Sequence, residues 1–344
     1  MLTVTVPDQE LLDRLADLSD RVELVLWDLL SPLPPDVAER VRVVQIGHYW
    51  AAPDRWVRLY EVPNLRYVLL PSAGFEHAIP RVPPGTILCN GRGVHSTGTS
   101  ELALALILAA QRGLADAFVA QNEGRWYNPE LSSLADRRVL VVGAGSVAQA
   151  VVDRLLPFEV EITQVARTAR DGVRGIDELV PLLREADIVV LTVPGSESTH
   201  HLLDATTLAA LPDGALVVNV ARGSVVDTDA LVAELQTGRL RAALDVTDPE
   251  PLPSDHPLWH TPNTIITAHQ GGNTDATYPR VAALVRRQLE HLLAGEEPEN
   301  VVAHVGSGRG GAVGPTWSLG QVPCHGSEGT ARVAGVDRAA GLDE

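Results

Sequence analysis

The stretch DRRVLVVGAGSVAQAVVDRLLPF, residues 136–158, decides the fold of this chain. It begins with an apolar, β-branched run typical of a buried parallel strand, continues through a glycine turn and ends in a segment with the apolar spacing of a helix. Gly143 allows the tight turn, Gly145 lets the backbone approach a pyrophosphate, and the small Ala148 lets the helix pack closely on the strand. Together with the N–H groups at the helix start, these features predict a dinucleotide-binding turn rather than a plain βα turn.

The composition excludes several classes of protein. The chain has 344 residues, enough for two domains, and its net charge of −17 argues against nucleic-acid and anionic-membrane partners, which both bind basic surfaces. The spacing of Cys89 and Cys324 suits neither a disulfide framework nor a metal site. The acidic N-terminus has no secretion signal, and the most apolar run, Leu102–Ala110, is too short to span a membrane. We therefore expect a soluble cytoplasmic protein without a bound metal.

Residues 1 to about 95 alternate between strand-like runs and loops or helical segments. The strand-like runs lie at residues 24–26, 41–46, 67–70 and 86–89. Pro53 stands where a helix could start, with Trp56, Leu59 and Tyr60 on its inner face. This alternation predicts a parallel sheet covered by helices.

The loop from Pro71 to His77 directly follows one of these strands. Ligands of open α/β sheets bind at the carboxyl ends of the strands, and Gly74 would let backbone N–H groups face outward. A plain turn explains the same residues equally well, so the residues of this loop leave both interpretations open.

Thr97 to Arg112 is predicted to form one helix, with Thr99 or Ser100 as its N-cap and Gly113 as its end. The middle of this helix is apolar all round. A helix without a polar face must be buried on all sides, so we expect it between domains or between subunits.

A second series of strands and helices begins at Val139. Asp204 and Asp227 are the expected N-caps of two of its helices, and a long amphipathic helix at about 278–293 is expected to cross back to the first domain. Residues 306–344 are rich in glycine and serine and poor in large aliphatic side chains, so we expect a disordered tail. The other buried strands are expected at residues 160–165, 188–193, 215–220, 242–246 and 264–267.

Arg222, Glu250 and His269 each follow a predicted buried strand, at the sheet edge where ligands bind. For each of them alone, a structural role is the more ordinary explanation. Together they match the needs of carbonyl reduction, which are a histidine to donate the proton, a carboxylate to orient the imidazole, and a guanidinium to bind a substrate carboxylate and polarise the keto oxygen.

These residues stand in longer motifs, namely GAGSVA, LVVNVARGSVVDTDAL, ALDVTDPEPLPSDHPLW and ITAHQGG. In this order and spacing the motifs resemble the D-isomer-specific 2-hydroxyacid dehydrogenase family over about residues 40 to 303. The resemblance implies two doubly wound parallel-sheet α/β domains, in which a Rossmann-type cofactor domain is inserted into a flavodoxin-like substrate domain. It also implies an active-site cleft at their junction, and a homodimer. We place the substrate domain at residues 1–95 plus 275–303 and the NAD(P)-binding domain at residues 96–274.

The resemblance also implies the roles of the three polar residues. Arg222 resembles the family's substrate-binding arginine, Glu250 the partner of the catalytic histidine, and His269 the general acid–base. The family commonly has proline before its catalytic histidine, whereas Ala268 stands there in this chain. That change could loosen the loop, but it leaves the chemistry intact.

Further residues match the family's binding positions. Ser72, Ala73 and Gly74 resemble the backbone loop that receives the substrate carboxylate, and Asp245 resembles the residue that holds the nicotinamide carboxamide. The residues expected to bind the cofactor are Gly143, Gly145, Ser146, Val147, Arg167, Thr168, Arg170, Val193, Pro194, Thr199, Val220, Ala221, Asp245 and Gly271.

The end of the second strand in the cofactor domain bears on the choice of cofactor. An NAD site places an acidic residue there, where it binds the ribose 2′-OH. In this chain no carboxylate occurs before Asp171, whereas Arg167, Thr168 and Arg170 could bind a 2′-phosphate. Ordinary solvated arginines are the alternative, and we expect NADP(H) rather than NAD(H).

The expected reaction is the NAD(P)H-dependent reduction of a small 2-keto acid to the D-2-hydroxy acid, as in the glyoxylate and hydroxypyruvate reductases of the family. Trp50, Trp56 and Trp259 could line the substrate cleft, although packing explains such tryptophans equally well. One alternative is a phosphoglycerate-type dehydrogenase, for which the C-terminal tail is too short to be a regulatory domain. The other is a non-catalytic nucleotide-sensing protein, which the three filled catalytic positions disfavour.

Overall fold

The computed structural model describes residues 1–47 and 53–306, which form two α/β domains, each built on one open sheet. The strands are β1 (Leu2–Val6), β2 (Val22–Leu26), β3 (Val41–Gln45), β4 (Tyr67–Leu69), β5 (Ile87–Cys89), β6 (Arg138–Val142), β7 (Glu161–Ala166), β8 (Val173–Gly175), β9 (Ile188–Leu191), β10 (Leu216–Asn219), β11 (Arg241–Leu244), β12 (Thr264–Ile266) and β13 (Val301–His304). The α-helices are α1 (Gln9–Arg14), α2 (Pro35–Ala38), α3 (Ser96–Gln111), α4 (Leu114–Asn122), α5 (Ser146–Leu155), α6 (Leu179–Leu183), α7 (Ala205–Ala209), α8 (Thr228–Gln236) and α9 (Thr277–Ala294).

The first sheet has the strand order β13-β5-β4-β3-β1-β2. Its neighbouring strands are parallel, except that β13 pairs antiparallel with β5 at one edge. The order of the parallel strands is flavodoxin-like, because the direction of winding changes between β1 and β3. Helices α1 and α9 cover one face of this sheet, and a second apolar core that includes Trp56 and Leu59 covers the other.

The second sheet has the order β12-β11-β10-β9-β6-β7-β8, and all of its pairs are parallel. This is the Rossmann-type arrangement, with the switch in winding between β6 and β9. Side chains of α3 and α5 form the core on one face, and those of α6, α7 and α8 form the core on the other. The predicted pair of doubly wound domains is therefore confirmed, whereas their residue boundaries remain a prediction.

Several local expectations can be compared with the structure. The Asp204 carboxylate accepts a hydrogen bond from the Thr207 N–H at 2.9 Å, and the Asp227 carboxylate accepts one from the Ala230 N–H at 3.1 Å, as N-caps do. Tyr60, however, is exposed, and the expectation that it faces inward is wrong. The reason is that residues 53–61 form a 3-10 helix, whose three-residue turn aligns Trp56 with Leu59 and leaves Tyr60 on another face.

The N-cap expected for α3 needs a correction. The helix begins at Ser96, so neither Thr99 nor Ser100 is its N-cap; the Thr99 N–H already donates to the His95 carbonyl at 3.0 Å. Within the single chain, Ala105 of this helix is exposed. The expected place of α3 between domains or between subunits stays a prediction.

Some expectations fall on residues that the structure does not describe. Trp50 lies outside the described residues, and so does the tail from residue 307 onward. Within residues 1–47 and 53–306, no group of His, Cys, Asp and Glu side chains could hold a metal ion. In the same ranges no single helix is long and apolar enough to cross a bilayer; α3 and α4 would qualify as a pair, but they are bent by 65° at their junction.

Candidate active site

The glycine turn between β6 and α5 fits a dinucleotide. Gly143 has a φ of 127°, a conformation that only glycine adopts readily, and a Cβ there would overlap the Thr192 hydroxyl. Gly145 is the N-cap of α5, and a Cβ on it would meet no atom within 4 Å. No side chain caps the helix, so its first N–H groups, next to Ser146 and Val147, are not bound by a capping side chain. This turn can receive a pyrophosphate.

The residues expected to bind the ribose 2′-phosphate lie just past the end of β7. Arg167, Thr168 and Arg170 are all exposed just past the strand. The Arg170 guanidinium folds back over the glycine turn, where its Nη2 donates a hydrogen bond to the Ala144 carbonyl oxygen at 2.8 Å. The structure thus brings one of the two predicted arginines against the glycine turn.

The other candidate cofactor residues follow β9 and β10. Val193 and Pro194 come just after β9, and the Thr199 hydroxyl donates to the Pro194 carbonyl oxygen at 2.7 Å, which closes the short turn between them. Val220 and Ala221 are buried directly after β10. These residues therefore lie on the same strand-end edge of the second sheet as the glycine turn.

Asp245 has a role that its position in the sequence did not reveal. Its carboxylate is almost fully buried, at 2% exposure, and accepts hydrogen bonds from the Thr267 hydroxyl at 2.6 Å, the Gln270 N–H at 2.7 Å and the Gly271 N–H at 2.9 Å. The Asp245 carbonyl oxygen also accepts from the His269 N–H at 2.7 Å. Asp245 therefore anchors the loop that carries the histidine.

The predicted pair of Glu250 and His269 is present in the structure. The Nδ1 of His269 lies 2.6 Å from the Glu250 Oε1. An ionised carboxylate can only accept, so Nδ1 carries the proton and Nε2 is left for the cleft. The hydrogen bond from His269 lowers the pKa of Glu250 below its ordinary value, against the opposing effect of burial, and the charge of Arg222 adds to the lowering.

Arg222 reaches across the junction between the domains. It follows β10, yet its Nη2 lies so close to Gly74 in the first domain that a Cβ there would overlap it. A Cβ at Gly195 would stand 3.0 Å from the Arg222 Cγ, and one at Gly223 would overlap the Thr247 carbonyl. Gly195 and Gly223 were not among the expected site residues. Gly223 directly follows Arg222 after a strand, and a glycine in that place is a signal for close approach of the backbone.

The loop after β4 completes the cleft. It contains Ser72, Ala73 and Gly74, and its His77 lies within electrostatic reach of Arg222. Burial lowers the pKa of His77, and the positive charges of Arg81 and Arg222 lower it further. The charge of Arg222 thus acts both on the loop after β4 and on Glu250.

Trp56 and Trp259 lie in different environments. Trp56 is buried in the core of the first domain, with its ring edge-on to His77 at 6.1 Å between centroids. Trp259 is 44% exposed, and its Nε1 donates to the Pro253 carbonyl oxygen at 2.8 Å. Trp56 is therefore a buried packing residue whose ring contacts His77.

Comparisons with known proteins show which proteins this chain is similar to. A sequence model described as D-isomer specific 2-hydroxyacid dehydrogenase, NAD binding domain, matches residues 104–271. The chain is 34% identical to a glyoxylate reductase from Thermofilum pendens over 255 residues, which are 70% of this chain and 75% of that protein. It is also 34% identical to a D-3-phosphoglycerate dehydrogenase from Methanocaldococcus jannaschii, but over only 63% of this chain and 43% of that one.

A solved structure with the same fold has a bound nicotinamide cofactor. It is a D-isomer specific 2-hydroxyacid dehydrogenase from Xanthobacter autotrophicus Py2 in complex with NADPH and MES. The two chains share 27% sequence identity and superpose with a TM-score of 0.73, over 88% of this chain and 98% of the other.

Proposed function

We propose that this chain, which belongs to the D-isomer specific 2-hydroxyacid dehydrogenase family, reduces a small 2-keto acid of the glyoxylate or hydroxypyruvate type to the D-2-hydroxy acid with NADPH. The observation that carries the proposal is the convergence of Arg222, Glu250 and His269, three residues from separate loops, on one cleft beside a dinucleotide-binding turn. The likeness to a glyoxylate reductase supports the substrate class.

Each residue of the cleft has a separate role in the proposed reaction. The N–H groups of the 72–74 loop and the guanidinium of Arg222 bind the substrate carboxylate, and Arg222 also polarises the keto oxygen. Bound NADPH supplies the hydride. As negative charge develops on the keto oxygen, His269 donates its Nε2 proton to that oxygen, while the Glu250 carboxylate stabilises the imidazolium before transfer and keeps Nδ1 protonated afterwards.

The first experiment combines a substrate panel with one substitution. NADPH and NADH are each paired with glyoxylate, hydroxypyruvate, pyruvate, longer 2-keto acids and 3-phosphohydroxypyruvate, and the absorbance of the reduced cofactor is followed. We expect His269→Ala to lower kcat by about 10²-fold or more, with the affinity for NADPH unchanged. Wild-type turnover by His269→Ala would overturn the mechanism, and a preference for the phosphorylated acid would replace the proposed substrate class.

For the cofactor we propose NADP(H). The support is the absence of a carboxylate between Ala166 and Asp171, together with the position of Arg170 over the glycine turn. Arg170→Ala should lower the ratio of kcat/KM with NADPH to that with NADH by about tenfold, because a charged hydrogen bond to the 2′-phosphate is lost. The matched control is Arg174→Ala, which removes an exposed arginine paired with Glu178 in the same domain.

We also propose a cytoplasmic homodimer that forms through α4 and the segment after it. Phe118 is 62% exposed and Trp126 is 92% exposed, which is unusual for large apolar side chains on a free surface. The exposed apolar residues in this region are Leu114, Phe118, Val119, Trp126 and Leu131. In sedimentation velocity we expect a dimer that Phe118→Glu converts to monomer, whereas Val57→Glu, at an equally exposed site on the first domain, does not.

A further inference from the structure

All three carbonyl oxygens of the 72–74 loop accept hydrogen bonds from groups of the first domain. The Ser72 carbonyl oxygen accepts from the Gly91 N–H at 2.7 Å, and the Gly74 carbonyl oxygen accepts from the Ser72 hydroxyl at 2.8 Å. Between them, the Ala73 carbonyl oxygen accepts from the side-chain Nδ2 of Asn90 at 2.6 Å. The last of these bonds is the one that depends on a side chain from another loop.

These carbonyl contacts decide where the N–H groups point. In a trans peptide the C=O of one residue and the N–H of the next face opposite ways. With the carbonyls of Ser72 and Ala73 turned toward Asn90 and Gly91, the N–H groups of Ala73 and Gly74 must face away from them. Within the described ranges neither N–H donates a hydrogen bond, whereas the next one, on Phe75, donates to the Glu76 carboxylate at 3.0 Å.

The orientation of the Asn90 amide is itself fixed. The side chain is buried, at 6% exposure, and its Oδ1 accepts from the Arg92 N–H at 3.2 Å. Reversing the amide would set Oδ1 against the Ala73 carbonyl oxygen and the NH₂ against the Arg92 N–H, so both contacts would become repulsive. The Asn90 N–H donates to the Asn300 carbonyl oxygen at 3.0 Å, which ties this loop to the chain after α9.

The neighbouring glycine allows the two loops to come this close. A Cβ at Gly91 would overlap the Pro71 carbonyl and stand 2.8 Å from the Ser72 nitrogen. Any side chain there would therefore push the 72–74 loop away from Asn90. Asn90 and Gly91 were not predicted as site residues from the sequence, because each looks like an ordinary residue of a turn.

We infer that Asn90 is a positioning residue for substrate binding: by holding the Ala73 carbonyl, it turns the Gly74 N–H toward the cleft, where this N–H and Arg222 bind the substrate carboxylate. The inference rests on the proposed function of the cleft. Asn90 acts through the backbone of the loop and does not touch the substrate.

The test compares two substitutions of Asn90 with a matched control. In Asn90→Asp the ionised carboxylate repels the Ala73 carbonyl oxygen, so at pH 8 we expect the KM for glyoxylate to rise by about tenfold or more, with the Kd for NADPH within twofold of wild type. At lower pH a protonated carboxyl can donate to that oxygen again, so the KM should fall back toward wild type. Asn90→Ala should raise the KM without recovery at low pH.

Asn64→Asp is the control, because the Asn64 Nδ2 also donates to a backbone carbonyl, that of Glu39, at 2.9 Å on an exposed part of the same domain. We expect this variant to behave like wild type. A wild-type KM in Asn90→Asp, or a high KM that does not recover at low pH, would overturn the inference. The inference would also be overturned if Asn90→Asp lost NADPH affinity and thermal stability as strongly as it lost glyoxylate binding, because such losses indicate a merely structural role.

A binding measurement separates this inference from the proposed function. Oxamate, a monoanionic carboxylate, is titrated calorimetrically into the NADPH complexes of the wild-type and Asn90→Asp proteins. If the wild-type protein reduces none of the 2-keto acids, the proposed function fails, yet weaker oxamate binding by Asn90→Asp at pH 8 would still support the role of Asn90. Equal oxamate affinities in an active enzyme would refute that role alone.

Discussion

At the scale of single residues, glycines allow Arg222 to extend from one domain to the other. Gly74 and Gly195 lie against its side chain, and Gly223 lets the next turn pack on the Thr247 carbonyl. A guanidinium confined in this way keeps its planar fork in one orientation, so less conformational entropy is lost when it binds a carboxylate. A lysine in the same place would keep the positive charge but lose the planar, paired N–H donors of the guanidinium.

We therefore predict that Arg222→Lys raises the KM for glyoxylate by about tenfold to a hundredfold, since a hydrogen bond to a charged group contributes about 1.5–3 kcal/mol. The affinity for NADPH should stay the same, because Arg222 faces the 72–74 loop and not the glycine turn. Steady-state kinetics and a fluorescence titration measure the two quantities. Arg21→Lys, at an exposed arginine far from the cleft along the chain, is the control, and an unchanged KM in Arg222→Lys would contradict the prediction.

The pH dependence of the Glu250–His269 pair gives a second prediction. The pKa of Glu250 is lower in the folded protein, so the folded state favours the ionised carboxylate. The resulting stabilisation is fully present above the ordinary glutamate pKa of about 4.3. It is lost as the pH falls through the lowered pKa. At pH 7 we expect Glu250→Gln to lower kcat by about 10²-fold, because an amide does not stabilise an imidazolium as a carboxylate does. The ratio of wild-type to variant kcat should stay constant down to about pH 4.5 and shrink below it. A ratio independent of pH throughout, in stopped-flow pH jumps, would contradict this account.

The sequence reveals some of these residues and hides others for a physical reason. Arg222, Glu250 and His269 are recognisable because a charged or titratable group directly after a buried strand is unusual in itself. Asn90 is not, since its importance comes from one contact with a carbonyl 17 residues earlier in the chain. Only the packing of two loops in space creates that role.

At the scale of elements, a helix cap is a local feature, so Asp204 and Asp227 are recognisable from the sequence, although the cap expected at Thr99 or Ser100 was wrong. Asp204 caps α7 and, with Thr207, forms a capping box, in which each side chain bonds the other residue's backbone N–H. We predict that Asp204→Ala lowers the free energy of unfolding by about 1 kcal/mol at pH 7. The hydrogen bond from the Thr207 N–H lowers the pKa of Asp204, so this stabilisation is present above the ordinary aspartate pKa and disappears as the pH falls through the lowered value.

The measurement for this cap is urea unfolding of wild type, Asp204→Ala and the control Asp20→Ala at several pH values. We expect the difference between wild type and Asp204→Ala to shrink toward zero in acid, whereas Asp20→Ala should match wild type throughout. A difference that grows as the pH falls would have the wrong sign for a carboxylate with a lowered pKa.

Three of the described strands, β1, β8 and β13, were not expected from the sequence. β1 is hard to recognise because both of its faces are buried, yet Thr3 and Thr5 interrupt the continuous apolar run that is typical of such a strand. The three-residue β8 and the antiparallel edge strand β13 were also missed. Such short strands are defined by their neighbours in the sheet and carry too few residues to show a periodicity of their own.

At the scale of the whole molecule, two connections join the domains, one before α3 and the other before α9. They pack on each other through glycines. A Cβ at Gly98 would stand 2.6 Å from the Gly271 carbonyl oxygen, and Gly272 lies against the His95 ring. Since Gly271 is two residues from His269, we expect a shift at this junction to move the loop that carries His269.

Gly98→Ala tests this junction, because two effects of opposite sign compete there. Alanine is a better helix former than glycine by about 1 kcal/mol, which alone would stabilise α3. The new Cβ, however, meets a backbone oxygen that no side-chain rotation can move, and such overpacking costs about 1–3 kcal/mol. We therefore expect a lower melting temperature together with a lower kcat, as the 269–271 loop shifts. Thr97→Ala, one residue earlier in the same turn, should leave kcat unchanged; a higher melting temperature with full activity in Gly98→Ala would show that the two connections are free to move apart.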